Sequence, residues 1–395
     1  MKNNSKKKEQ KIPVGKLGLI AIDGSEEMAG LVDRYLVNWR KDHFSCDDEI
    51  SFTGYEKESF IIKGDCPRFN NGEAKAILYE SVRGYDIYII CDVGNYSRSY
   101  TMFGLQCPMG PDEHFQNIKR VISAIGGKAR RINVIMPLLY AGRQHKRVSR
   151  ESLDCAMALR ELESLGVDNI LTFDAHDPRV QNAIPLTGFE SIMPSYQIIK
   201  KLLNDNPGLD LSKDKMIVIS PDEGGISKNI FYSQMLGLDL GLFYKRRDYS
   251  SIIEGRNPIM SHEYLGDDVS GKDILIVDDI ISSGDSLLDL AVELKKRKAG
   301  NIHIAVTFAL FTEGLRKFNE FYQKGYFSKI YATNLTYRKQ ELMEKEWFRE
   351  VDMSKFIALI VDTLNLDDSL GSLMDPSNKI KSLVEKYRKN GLAGV

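Results

Sequence analysis

The stretch Val277-Asp-Asp-Ile-Ile-Ser-Ser-Gly-Asp-Ser286 carries residue types that can hold a phosphorylated sugar. Asp278 and Asp279 close an apolar run, and neighbouring carboxylates accept hydrogen bonds from vicinal hydroxyls. Ser282, Ser283, Gly284, Asp285 and Ser286 follow, and then an amphipathic helical pattern. Small hydroxyl residues and a glycine at a helix N-terminus offer N–H groups and hydroxyls to an anion, and the helix dipole adds partial positive charge there. Ser and Asp are also ordinary helix caps. An apolar strand, two aspartates and three serines in register favour a phosphate monoester over a cap alone.

Other candidates lie beyond the ends of apolar runs, where parallel α/β sheets bind ligands. Lys245-Arg-Arg247 follows one such run and precedes the polar stretch Asp248–Gly271, which reads as a mobile loop. A basic triplet alone is usually a solvated turn. Here Lys245 can meet a phosphate as a point charge and Arg247 as a fork. His176 follows a run ending in Asp174 and is flanked by Asp177. A lone histidine is more often structural; between two aspartates a metal or phosphate contact becomes plausible. Gly224 and Gly225 permit close backbone approach to a ligand.

The elements that must position these groups alternate. Strand-like runs fall at Leu17–Ile22, Asp86–Val93, Ile132–Leu139, Asn169–Asp174, Met216–Ser220, Leu240–Tyr244, Ile274–Asp278, Ile302–Phe308, Lys329–Thr333 and Phe356–Val361. Several are apolar at every residue, as strands buried on both faces are. Between them Ile118, Val121, Ile122 and Ile125, and likewise Leu287, Leu290, Ala291 and Leu294, fall at i, i+3, i+4, i+7. Such alternation gives parallel sheets with helices on both faces. The strands ending in Asp174 and Asp278 share Ile-Leu and a closing Asp, which fits two similar domains dividing near Pro194, and fits chance nearly as well. Cys107-Pro-Met-Gly-Pro-Asp112 reads as a loop, and Ser377–Asn390 as a charged amphipathic helix.

Composition sets outer bounds. The chain has 395 residues, 43% of them hydrophobic and 28% charged, with a formal net charge of -1. That excludes a global field for nucleic acid or membrane, so an anionic substrate must meet local cations. Cys46, Cys66, Cys91, Cys107 and Cys155 show no paired spacing, which argues against a disulfide framework and for a reducing cytoplasm. No apolar run has the length of a membrane span. The Lys-rich start reads as a disordered basic tail over residues 1–14.

The Asp278–Ser286 segment resembles the phosphoribosyl pyrophosphate loop of phosphoribosyltransferases and of ribose-phosphate pyrophosphokinases, and other stretches resemble the pyrophosphokinases. Phe69-Asn-Asn-Gly-Glu73 is similar to that family's adenine-holding Phe-Ser-Asp-Gly-Glu. Pro137 through Gly142-Arg143-Gln144 is similar to its ATP segment. Gly166 to His176, Ser220-Pro-Asp-Glu-Gly-Gly225 and Lys245-Arg-Arg247 recur in the family's order. The resemblance runs from about Leu17 to Met374, with insertions near Asp42–Asp65, Ser97–Pro111 and Asn204–Lys213.

It implies two phosphoribosyltransferase-type α/β domains, each a mostly parallel sheet flanked by helices. The expected divisions are 15–193 on the ATP side, 194–364 on the ribose 5-phosphate side and a C-terminal segment 365–395. It further implies catalytic Lys245 and Arg247, with ATP on Phe69, Asn71, Gly72, Glu73, Arg143, Gln144 and His176. Ribose 5-phosphate falls to Asp278, Asp279, Ser282, Ser283, Gly284, Asp285 and Ser286, and Mg2+ to His176 and Asp222. The family suggests homo-oligomers, dimers or hexamers. Where its loop reads Asp-Thr-Gly-Gly-Thr, this chain has Ser282-Ser-Gly-Asp-Ser286. Asp285 is repulsive to a phosphate there unless it points outward or serves the helix dipole. His145 and Asn71 stand where the family has Asp. A phosphoribosyltransferase would share the loop without explaining the ATP-type segments. A non-catalytic regulatory relative would fit the altered loop and not the retained Lys245, Arg247, His176 and Asp222.

Overall fold

A computed structural model describes residues 12–46, 53–247 and 259–390. The fold is α/β, and the chain divides into two compact units, Met1–Ile192 with Ser354–Met374, and Met193–Met353 with Asp375–Val395.

The first unit is built on five parallel strands in chain order: Lys16–Ala21, Tyr85–Ile90, Arg131–Ile135, Asn169–Phe173 and Gly188–Ile192. The interior residues of Lys16–Ala21 and all but the first of Tyr85–Ile90 are buried, as strands covered on both faces must be. The helix Pro111–Ile125 lays Ile118, Val121, Ile122 and Ile125 into the core beside Ile87, Ile89 and Val134. It starts at Gly110, where Glu113 accepts from the Gly110 N–H, and carries Pro111 in its first turn. Cys107–Asp112 is therefore not a loop throughout: Cys107 and Pro108 end a hairpin strand, Leu105–Pro108, that pairs with Ser99–Met102.

The second unit carries seven strands in the order Ile259–Leu265, Asp239–Arg247, Met216–Ser220, Asp273–Ile281, Ile302–Ala309, Lys329–Thr333, Phe348–Val351. All neighbours are parallel except the first pair. Met216–Ser220 and Ile302–Ala309 are buried at every residue. The helix Asp285–Lys296 packs Leu287, Leu290, Ala291 and Leu294 inward, and the C-terminal helix is Ser377–Asn390. Part of the stretch expected as a loop is the strand Ile259–Leu265; residues 248–258, like the basic tail's 1–11, lie outside the described residues. Val14, assigned to that tail, donates its N–H to the Asn365 carbonyl at 2.8 Å.

One expected strand is a helix. Phe356–Val361 lies within Ser354–Asn365, which buries Ile357, Ala358, Ile360, Val361 and Asn365. An apolar run with no alternation fits a buried strand and a buried helix equally. This helix also belongs to the first unit, although the sequence placed residues up to 364 in the second domain. A buried polar network holds it there. Arg40, 1% exposed, lies between the rings of Tyr55 and Phe60, 4.6 and 4.9 Å from their centroids. It donates to Asp362 Oδ1 at 3.1 Å and Asn365 Oδ1 at 2.7 Å. Asn365 Nδ2 in turn donates to Asp86 Oδ2 at 2.9 Å. Asp86 also accepts from Arg131 Nε and Nη2, both at 2.8 Å, and from Asn133 Nδ2 at 2.9 Å. Tyr55 and Phe60, which cover the Arg40 guanidinium, lie in the stretch 42–65 read from the sequence as an insertion.

Candidate active site

The strand Asp273–Ile281 does not stop at the two aspartates but runs through them, with Asp278 opposite Val306 and Ile281 opposite Ala309. The Asp279 N–H donates to Asp278 Oδ1 at 2.8 Å. Burial, and then the neighbouring Asp279 carboxylate, push the Asp278 carboxyl well above the ordinary range, while Lys228 pulls the other way. The folded protein thus holds this proton more tightly than the unfolded chain does. Stability falls as pH rises from the ordinary 3.8 towards the raised value. Asp278→Asn is expected to raise the melting temperature more at neutral and alkaline pH than at acid pH. Thermal melts across pH check this; an equal rise at every pH rules it out.

The chain then turns through Ser282 and Ser283 to Gly284, whose φ is 86°. The Ser282 carbonyl accepts from the Thr312 N–H at 3.0 Å. A Cβ on Gly284 would stand 2.2 Å from Phe318 Cζ. Phe318 is fully buried among Phe311, Phe327 and Trp347. Glycine is required here by backbone angle and by packing alike. Asp285 opens the helix, and Lys317 Nζ lies 2.7 Å from its Oδ1 and 2.9 Å from Glu313 Oε2. Lys317 and Ser283 lower its pKa. The carboxylate expected to repel a phosphate is thus turned to a lysine and sits in the first turn as a dipole partner.

Beside this turn, Asp222 Oδ1 accepts from the Gly225 N–H at 3.0 Å, and Ser220 Oγ donates to the Asp222 carbonyl at 2.8 Å. Gly225 has an ordinary negative φ, and a Cβ on Gly224 would meet Asp222 Oδ1 at 3.3 Å. Asn229, fully buried, gathers the loop: its Nδ2 reaches Ser220 Oγ at 3.2 Å, Gly225 O at 2.9 Å and Val277 O at 2.9 Å. Asn229 and Lys228 escaped the sequence reading, because a lone polar residue in a helix leaves no signal. Lys245 and Arg247 end the strand Asp239–Arg247, in register with His262 and Ile259; their side chains lie outside those described.

In the first unit Phe69–Glu73 forms a tight exposed loop. The Phe69 N–H donates to Glu73 O at 2.7 Å and the Gly72 N–H to Phe69 O at 2.8 Å. The Phe69 ring is 51% exposed, and Asn71 Nδ2 donates to Glu73 Oε2 at 3.0 Å. Arg143 is exposed, and Gln144 Nε2 donates to Ser152 O at 2.8 Å. His176 is exposed, with its ring 5.2 Å from that of His145. Asp174 is buried at φ 45°, and Asp177 caps the turn at Pro178–Ala183 and binds Arg179, which lowers its pKa to about 2. The structure therefore joins Asp222, Asp278, Asp279 and the Ser282–Ser286 turn in one unit, and Arg143, Gln144 and His176 with the 69–73 loop in the other.

Among the described residues no helix is long and apolar enough to cross a membrane. Two family models match the chain: the N-terminal domain of ribose phosphate pyrophosphokinase over residues 19–166, and the phosphoribosyl transferase domain over residues 187–338. A ribose-phosphate pyrophosphokinase of Pasteurella multocida is 28% identical over 266 residues, 65% of this chain and 75% of that protein. One of Chlorobaculum tepidum is 25% identical over 313 residues, 78% and 86% of the two chains. The phosphoribosylpyrophosphate synthetase structure of Mycobacterium smegmatis shares the fold, with a TM-score of 0.69 over 88% of this chain and 98% of that one at 19% identity. Both halves of one enzyme are matched in order along a single chain, and the chain belongs to the ribose-phosphate pyrophosphokinase family.

Proposed function

We propose that this chain transfers the pyrophosphoryl group of ATP to the C1 hydroxyl of ribose 5-phosphate. The hydroxyl oxygen bonds to the β-phosphorus, the bond from that phosphorus to the α-phosphate oxygen breaks, AMP leaves, and the hydroxyl proton passes to water. The observation that supports this best is the turn at Gly284: a helix N-terminus with Ser282, Ser283 and Ser286 beside the paired Asp278 and Asp279. In this reading the aspartates take the ribose hydroxyls and the Ser282–Ser286 turn the 5-phosphate, with Asp285 held aside by Lys317. Phe69, Asn71, Gly72, Glu73, Arg143, Gln144 and His176 hold ATP, and Lys245 and Arg247 steady charge on the transferring group.

Mg2+ prefers oxygen ligands and keeps waters. Among the described residues no three His, Cys, Asp or Glu side chains converge. His176 and Asp222 are the positions that the family resemblance gives to the metal, and a bound cation would neutralise phosphate charge. The free thiols of Cys66, Cys91, Cys107 and Cys155 fit a reducing cytoplasm, and a homo-oligomer follows from the family reading. The test is incubation with Mg2+, ATP and ribose 5-phosphate, following AMP. Pyrophosphate release that depends on a base and not on ATP would indicate a phosphoribosyltransferase, and ligand binding without AMP a non-catalytic relative. Lys245→Ala is expected to slow AMP formation about 10²–10³-fold, the usual loss for one preorganised charge; an unchanged rate removes that role.

A further inference from the structure

The hairpin Ser99–Met102 and Leu105–Pro108 lies in one of the three insertions relative to the family pattern, and nothing above gives it work. Its two-residue turn has positive φ at both positions, Phe103 at 50° and Gly104 at 77°, the geometry that matches strand twist. A lone two-stranded ribbon is marginal in water, so what it packs against decides whether it stands. At its base Arg98 Nη2 lies 2.7 Å from Glu26 Oε1, and the Met109 N–H donates to Arg98 O at 2.8 Å. Its other partner is the 69–73 loop.

That contact is specific. The Phe103 N–H donates to Asn70 O at 2.9 Å. Gly72 has φ 91°, and a Cβ there would meet Met102 Sδ at 2.6 Å. Arg68, which enters the loop, donates from Nη1 to Gly72 O at 3.3 Å while its guanidinium lies 4.4 Å from the Tyr100 ring centroid. Arg68 Nε and Nη2 are buried without hydrogen-bond partners, so the ring face of Tyr100 offsets the desolvation of that charge. Asn70 and Gly72 are thereby fixed from the hairpin side while the Phe69 ring stays half exposed.

We propose that the inserted hairpin is a positioning element for the 69–73 loop and sets the affinity of the enzyme for its nucleotide. The inference rests on the reading that this loop holds the base of ATP. Preorganising a loop lowers the ordering cost that binding must meet. The hairpin acts through the loop and touches no reacting atom, so its loss should be felt at the nucleotide alone.

The test is steady-state kinetics of the full chain, parent against Tyr100→Ala, Tyr100→Phe and Met102→Ala, with AMP as readout. Tyr100→Ala is expected to raise KM for ATP about tenfold, the scale of one desolvated cation–π contact plus loop ordering. Its kcat and KM for ribose 5-phosphate should stay at parent values. Tyr100→Phe keeps the ring face and should restore the parent KM; Met102→Ala should move KM for ATP in the same direction as Tyr100→Ala. An unchanged KM for ATP in Tyr100→Ala, equal shifts in both KM values, or a fall in kcat alone overturns the proposal. If the parent itself makes no AMP, the proposed reaction fails and the hairpin is still tested by equilibrium binding of a fluorescent ATP analogue. Weaker binding by Tyr100→Ala with rescue by Tyr100→Phe supports it; equal binding by parent and Tyr100→Ala sinks it.

Discussion

Asp86→Ala is expected to cost about 3–5 kcal/mol of folding stability, the usual penalty for removing one partner of a buried ion pair. Asp86 is 0% exposed and Arg131 only 14%, so the abandoned guanidinium has little water to turn to. Asn133 and Asn365 each lose an acceptor as well, and Arg40 loses the neighbour that fixes Asn365. Against a total domain stability of about 5–15 kcal/mol, this brings the first unit near its unfolding point. Urea denaturation of the full chain reads it as an early transition that the parent lacks. A loss below about 1 kcal/mol would mean that the network carries no net charge penalty. Asp86→Leu with Arg131→Met removes both charges and should recover much of the loss, because apolar replacements of buried pairs are often tolerated.

Gly284→Ala is expected to abolish ribose 5-phosphate binding and AMP formation and to destabilise the second unit. Holding an L-residue at φ 86° costs about 1–2 kcal/mol. Forcing a methyl to within 2.2 Å of Phe318 adds the overpacking cost of about 1–3 kcal/mol. Phe318 cannot retreat, because Phe311, Phe327 and Trp347 close the space behind it. The backbone must move instead, and with it the N–H groups that the proposed reading gives to the phosphate. Isothermal titration with ribose 5-phosphate, alongside a thermal melt, separates the two effects. Parent-like affinity in a folded Gly284→Ala protein would show that the turn does not hold the sugar phosphate.

The sheets were legible where strands are buried on both faces, as short runs rich in Ile and Val such as Met216–Ser220 and Ile302–Ala309, which are buried at every residue. Gly188–Ile192 was missed because it is an edge strand of mixed polarity, only its last residue fully buried. Phe348–Val351 was missed for the same reason at the other sheet's edge. The aspartates and serines of the candidate site were legible as types at a spacing. Their support was not: Phe318 and Lys317 lie more than thirty residues beyond Gly284 and Asp285 and meet them only through the fold. Asn229, which ties the Ser220 hydroxyl to the Gly225 and Val277 carbonyls, is invisible for the same reason. The placement of the helix Ser354–Asn365 depends on a polar network whose members span most of the chain.

That helix also fixes an order of events during synthesis. A chain leaving the ribosome usually folds its N-terminal domain first. Here the five strands through Ile192 can pair early, but Asp86 and Arg40 stay without Asn365 and Asp362 until the whole intervening unit has been made. The N-terminal sheet therefore waits, half-sealed, for more than one hundred and fifty residues of translation between Ile192 and Ser354. A chain stopped anywhere in that interval lacks Asp362 and Asn365, so its first unit is expected to stay open to proteolysis rather than stand as a smaller working domain.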